Sequence, residues 1–180
     1  MQVIGVAGPS GSGKTTLLVR LIPELVHRGY RVSTMKHARR DFDIDQPGKD
    51  TFRHRQAGAT EVLIASARRW ALMHERRGEP EPDVAELTRQ MAPVDLLIIE
   101  GFGRGSHDKL ELHRRDAGQP LIHPHDRHVV AVLSGEPLPD CSLPVVDLGD
   151  IDAVADFIVA HCRRALTRHP IRLRNEVEQK

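Results

Sequence analysis

Short, uniformly apolar runs alternate along the chain with longer stretches in which apolar residues recur at helical spacing. Gln2 to Ala7 is apolar and β-branched, and Val94 to Ile99 is the most apolar run of all. Runs without polar alternation are strands buried on both faces. Thr15 to Arg28 places Leu17, Leu18, Leu21, Ile22 and Leu25 on one helical stripe, and Gly29 stops it. Pro23 inside that stripe predicts a kink or an early end. Further strands are expected at Tyr30 to Met35, Leu110 to His113, His128 to Leu133 and Pro144 to Asp147. Glu61 to Ser66 and Trp70 to His74, joined through Ala67-Arg68-Arg69, read as a hairpin. Asp50 is expected to cap a short helix that stops at Gly58, and Asp83, with Glu86 three residues on, to open another reaching about Met91. Ile151 to Leu166 is a terminal helix, ended by Pro170. Strands alternating with helices indicate an α/β fold, its mostly parallel sheet covered on both faces and interrupted by an inserted hairpin.

Length and composition narrow this picture. At roughly 100–200 residues per domain, 180 residues predict a single domain over 1–168 and a polar tail over 169–180, made basic from Arg163-Arg164 to Arg174. The 26 Lys and Arg against 25 Asp and Glu leave a net charge of +1, which argues against a polybasic nucleic-acid binder. Aromatic residues at 3% are too few for a base-stacking platform. No stretch approaches the ~20 apolar residues of a membrane span. The start, Met1-Gln2-Val3-Ile4-Gly5-Val6, lacks a basic region ahead of a long apolar run, so no signal peptide is expected. Cys141 and Cys162 form neither a disulfide framework nor a Cys-x-x-Cys metal site, which fits a reducing cytoplasm.

The candidate chemistry begins at Gly8-Pro9-Ser10-Gly11-Ser12-Gly13-Lys14-Thr15, a match to G-x-x-x-x-G-K-[ST] between a strand and a helix. Glycines let such a loop turn its N–H groups inward around phosphate oxygens, and the helix N-terminus adds positive potential. Gly8, Ser10, Gly11, Ser12, Gly13, Lys14, Thr15 and Thr16 are the candidate phosphate-binding set. Lys14 is the candidate catalytic cation for the β- and γ-phosphates, and the Thr15 hydroxyl a ligand for Mg²⁺. Glu100 ends the Val94 strand at its carboxyl edge, where ligands bind in open α/β sheets. It is therefore read as the acid beside Mg²⁺. Asp95, about 16 Å back along the strand, reads as a strand-start or cap residue.

Weaker features follow. Asp41, Asp43 and Asp45 alternate in the loop after the second strand, and crowded carboxylates are unfavourable without a cation. Metal or nucleotide contact by one of them, with Asp43 taken as the metal candidate, stands beside a solvated acidic loop. Arg68, Arg69, Arg76 and Arg77 flank the hairpin as a solvated basic face or a grip on an anion. His123, His125 and His128 lack helical spacing and a Cys-x-x-Cys partner, and read as structural. The hairpin presents Trp70 with Leu72 or Met73 on an edge, a hazard unless covered, so a homodimer is expected.

Together these residues resemble a known family. Gly8 to Thr16, Lys36-His37 with Asp41, Asp43, Asp45 and Pro47-Gly48-Lys49-Asp50, Ala57-Gly58-Ala59, Arg69-Trp70-Ala71-Leu72-Met73 and Glu100-Gly101-Phe102 are similar to the MobB family of molybdopterin-guanine dinucleotide biosynthesis adapters. The likeness runs from about Val3 to Val159. It implies a three-layer P-loop NTPase fold of the dethiobiotin-synthetase-like branch, and a cytoplasmic, dimeric GTP- and Mg²⁺-binding protein. It also implies weak GTPase activity and, as partner, the MobA-like nucleotidyltransferase that joins GMP to molybdopterin. Ser134-Gly135-Glu136-Pro137 stands where many GTPases carry N-K-x-D, so guanine selectivity is implied by the resemblance and not by a visible code. The rival reading is a P-loop small-molecule kinase using ATP or GTP, with Arg68 to Arg77 as its lid.

Overall fold

A computed structural model describes residues 1–38, 41–103, 105–114 and 118–168, with side chains described as far as Arg164. The tail over 169–180 lies outside the described residues. The elements are β1 (Gln2–Ala7), α1 (Lys14–His27), β2 (Val32–Lys36), α2 (Asp50–Gln56), β3 (Glu61–Ala65), β4 (Trp70–His74), α3 (Val84–Arg89), β5 (Leu96–Glu100), β6 (Lys109–His113), β7 (Val129–Ser134), β8 (Val145–Asp147) and α4 (Ile151–Arg168). The described chain divides into two compact units: Met1–His37 with the chain from Ala92 onward, and Ala38–Met91.

The first unit is built on a six-stranded sheet in the order β2-β5-β1-β6-β7-β8. Every pairing in it is parallel. Alternation along the strands sorts the side chains into two layers. On one face Ile4, Val6, Leu96, Ile98, Leu110, Leu112, Ala131 and Leu133 pack against Leu17, Leu21 and Leu25 of α1 and Val154, Ala155, Ile158 and Cys162 of α4. Each fully buried leucine contributes roughly 1.5–3 kcal/mol by leaving water. The opposite layer holds Leu97, Ile99, Lys109, Glu111 and Val132, all buried. Non-helical segments cover part of it. His107 lies against Gly5, whose hypothetical Cβ would stand 2.5 Å from its Nε2. The chain near 122–126 is tied to Lys109 and Glu111.

The second unit pairs β3 with β4 antiparallel, Leu63 opposite Leu72 and Ala65 opposite Trp70. The two strands form the predicted hairpin. Asp83 caps α3, its Oδ1 accepting the Glu86 N–H at 2.7 Å, as the capping pattern requires.

Two local expectations differ from the structure. α1 does not end early but runs through Pro23 to His27. The carbonyl that Pro23 leaves without a helical donor belongs to Val19, an exposed residue. Asp50 is the first residue of α2 and not its cap, which is Lys49. A carboxylate inside the first turn still faces the positive end of the helix dipole.

Candidate functional site

The phosphate loop takes its shape from three glycines. Gly8, Gly11 and Gly13 have φ of 149°, 78° and 98°, conformations that side chains rarely adopt. Gly8 also passes so close to β6 that a Cβ would stand 2.8 Å from the Leu112 carbonyl oxygen. Gly13 caps α1, so Lys14 and Thr15 open the helix with its N-terminal N–H groups facing the loop. Lys14 Nζ donates to the carbonyls of Gly8 at 2.9 Å and Pro9 at 2.7 Å, and lies 3.4 Å from Ser12 Oγ. Ser12 is buried within the loop, whereas Ser10 and Thr16 are exposed at its mouth.

β1 and β5 run parallel with Val6 beside Glu100, so Glu100 emerges at the phosphate edge as expected. Its Oε1 accepts the Thr15 hydroxyl at 3.2 Å. Asp95 stands at the opposite edge, where both the backbone N–H and the guanidinium of Arg31 bind it. Those bonds hold its carboxyl below the ordinary aspartate range.

The next strand adds groups whose role the sequence did not disclose. β2 places Lys36 beside Glu100, and Lys36 Nζ lies 3.4 Å from Glu100 Oε1. The Lys36 side chain is 62% exposed, whereas that of Glu100 is 15% exposed. The His37 N–H donates to the Glu100 carbonyl at 2.9 Å, and its ring contacts Phe102 at 4.7 Å. Gly101 is glycine for space: a Cβ there would stand 2.8 Å from His37 Cβ. Phe102 follows with φ of 49°, a strained conformation for an aromatic residue. A hydroxyl and a carboxylate that converge beside a phosphate loop suit a hard divalent cation. Among the described residues no group of three His, Cys, Asp or Glu is placed to hold a metal unaided. His123, His125 and His128 accordingly make no metal cluster.

In the second unit, Asp43 and Asp45 meet a guanidinium. Arg55 Nη2 binds Asp43 at 2.8 Å, Arg55 Nε binds Asp45 at 3.2 Å, and Nη1 binds Glu75 at 2.7 Å. The crowding read from alternate aspartates is thus relieved by Arg55 in this structure. The Asp43 carboxyl is lowered by the Asp45 N–H and then by Arg55. For Asp45, burial pushes up, but bonds from Thr51, the Gln46 N–H and Arg55 outweigh it. Arg77 donates to the carbonyls of Arg55 and Ala59, so it too holds the unit together.

The chain matches the family model of molybdopterin guanine dinucleotide synthesis protein B, MobB, over residues 3–135. It is 42% identical over 162 residues to the molybdopterin-guanine dinucleotide biosynthesis adapter protein of Escherichia coli K12, covering 88% of this chain and 92% of the relative. It is 38% identical over 158 residues to the protein of the same description from Haemophilus influenzae, covering 88% of each. The crystal structure of a MobB homologue from Bacillus stearothermophilus superposes with a TM-score of 0.68 at 26% identity, over 91% of this chain and 99% of that one. The phosphate loop, the acid at the end of β5 and these likenesses make the chain a member of the MobB family.

Proposed function

We propose that the chain binds GTP in the service of molybdopterin-guanine dinucleotide synthesis, the pathway for which its relatives are named adapter proteins. The observation that carries the nucleotide part is the convergence of Thr15 Oγ1 and Glu100 Oε1 at 3.2 Å beside a glycine-shaped loop. The loop N–H groups and the α1 N-terminus bind the phosphates, and Lys14 leaves its carbonyl partners to meet the β- and γ-phosphates. Thr15 and Glu100 hold Mg²⁺, which neutralises phosphate charge when bound. Lys36, beside Glu100, would be the cation available to the terminal phosphate. Hydrolysis is slow and secondary, since GTP serves here as a binding signal. The adapter works as a homodimer in the cytoplasm with a MobA-like nucleotidyltransferase. No helix among the described residues is long and apolar enough to cross a membrane.

The test combines binding and capture. GTP, GDP and ATP are titrated calorimetrically with and without Mg²⁺ on the wild type and Lys14→Ala, and the tagged chain is used to recover partners from bacterial extract. Mg²⁺-dependent GTP binding that weakens in Lys14→Ala at an unchanged thermal midpoint, with recovery of a molybdenum-cofactor nucleotidyltransferase, supports the reading. Unchanged affinity in Lys14→Ala overturns the phosphate-loop assignment. Phosphate transfer to an added small-molecule acceptor supports a kinase instead.

A further inference from the structure

Away from the phosphate loop, three titratable side chains from separate segments of the first unit converge. Glu111 of β6 is buried, its side chain 2% exposed. Its Oε1 accepts the Ile122 N–H at 2.6 Å and its Oε2 the His123 N–H at 2.9 Å. The carboxylate therefore determines where His123 sits. The His123 side chain is itself only 9% exposed, and its Nδ1 lies 3.6 Å from Glu111 Oε2. That nitrogen is buried and meets no hydrogen-bond partner, and a ring proton placed on it would face the Glu111 carboxylate. The other ring nitrogen, Nε2, is then a bare acceptor. It lies 4.0 Å from Cys141 Sγ, on a part-exposed residue of the segment between β7 and β8.

Thiol, imidazole and carboxylate thus stand in the order that activates a nucleophile: a base beside the sulfur and an acid orienting the base. The spacing at each step is looser than a tight hydrogen bond, as in many resting sites. We propose that Cys141 is an activated thiol and a modification site for small peroxides, with His123 as its base and Glu111 as the residue that positions His123. The thiol proton passes to His123 Nε2, and the Glu111 carboxylate offsets the charge on the imidazolium. The sulfur then attacks one peroxide oxygen. An S–O bond forms as the O–O bond breaks, and the departing oxygen takes the proton from Nε2 and leaves as water. Cys141 is oxidised by two electrons to a sulfenic acid, and hydrogen peroxide is reduced. No third reactant is needed.

The second cysteine supplies an internal control. Cys162 is buried in the core against α1, and burial pushes its thiol up to about 11. The test exposes the full chain to hydrogen peroxide at about pH 7, traps sulfenic acid with a 1,3-dione, and locates the label by peptide mass spectrometry. An ordinary thiol is a few per cent ionised at neutral pH, so activation raises the rate by up to about thirtyfold. We expect Cys141 to be labelled at least about tenfold faster than Cys162 and than N-acetylcysteine, and His123→Asn to remove most of that advantage. Glu111→Gln should slow it less, because the backbone N–H bonds can persist with an amide oxygen. Alkylation by iodoacetamide separates activation from accessibility. Near pH 10, above the ordinary thiol pKa of ~8.5, wild type and His123→Asn should react alike. A Cys141 rate no greater than that of N-acetylcysteine overturns the proposal. So does a His123→Asn deficit that persists undiminished near pH 10, which marks His123 as packing alone.

Discussion

Glu100 is bordered by the Thr15 hydroxyl on one side and the Lys36 ammonium on the other, and under the proposed function Mg²⁺ and phosphate would rearrange both contacts. Glu100→Gln keeps the size and removes the charge. Loss of a charge-assisted contact worth roughly 1.5–3 kcal/mol should cut the Mg²⁺-dependent gain in nucleotide affinity about tenfold or more, with metal-free affinity little changed. Asp95→Asn, at the far edge of the same strand, should leave the Mg²⁺ effect intact. A Mg²⁺ titration of both variants checks this, and the reverse outcome would show that the wrong acid was chosen. Lys36 gives a second comparison. Its exposed pair with Glu100 contributes at most about 1 kcal/mol, so its removal should not destabilise the fold. Were Mg²⁺ to neutralise Glu100, the ammonium would need another anion, and in the proposed function the terminal phosphate would supply it. Lys36→Met should therefore weaken GTP about tenfold and leave GDP within about threefold. Equal losses for both nucleotides would place Lys36 outside the terminal-phosphate site.

Among the elements, the β3–β4 hairpin leaves the most apolar surface in water. Leu63, Leu72 and Trp70 share one face and are 60%, 44% and 66% exposed. Val62, on the other face, is buried. A two-stranded ribbon with an apolar face is marginal by itself. A second copy that covers this face would bring the sedimentation mass at micromolar concentration to about twice 20.1 kDa. Trp70→Asp should return it to the single-chain mass with its secondary structure preserved by circular dichroism. A wild-type mass near 20.1 kDa under the same conditions would contradict the dimer.

For the whole molecule, the packing of His107 ties stability to pH. The ring lies between Gly5 of β1 and Gly105, and neither nitrogen has a hydrogen-bond partner. Burial lowers its pKa first, with Lys109 and His128 adding to the effect, while Asp108 and Asp126 oppose them. Above an unfolded value of ~6.5 the ring is neutral in both states and adds no pH dependence. Below it, the unfolded chain takes up a proton that the folded chain resists, so stability falls with pH. His74, raised first by the bond its ring donates to the Glu61 carboxylate, works the other way from an exposed position. The thermal midpoint should fall between about pH 6.5 and 5, and His107→Gln should flatten that slope. An unchanged slope would exclude His107 as the cause. The carboxyls of Asp43, Asp95 and Asp126 are lowered and act in a more acidic window.

Much of the architecture could be read along the chain because it depends on local spacing. Uniformly apolar runs predicted β1, β5 and β7 to within a residue or two, and the turn at 67–69 predicted the hairpin. The phosphate loop was readable for the same reason: its glycines, lysine and threonine act within eight consecutive residues. Strand direction alone separated Glu100 from Asp95. What the sequence left open depends on groups far apart in the chain. Nothing local tells that the Asp43 and Asp45 charges are met by Arg55, or that Lys36 reaches Glu100 across 64 residues. Lys109 and Glu111 were hidden inside a short strand, because burying a charge is affordable only once a distant partner is in place. For Lys109 that partner is Asp126, and for Glu111 it is two backbone N–H groups. Secondary structure and the phosphate loop follow from neighbours in sequence. Charge pairing and the placement of Cys141 beside His123 follow from neighbours in space, which exist only after the sheet has closed.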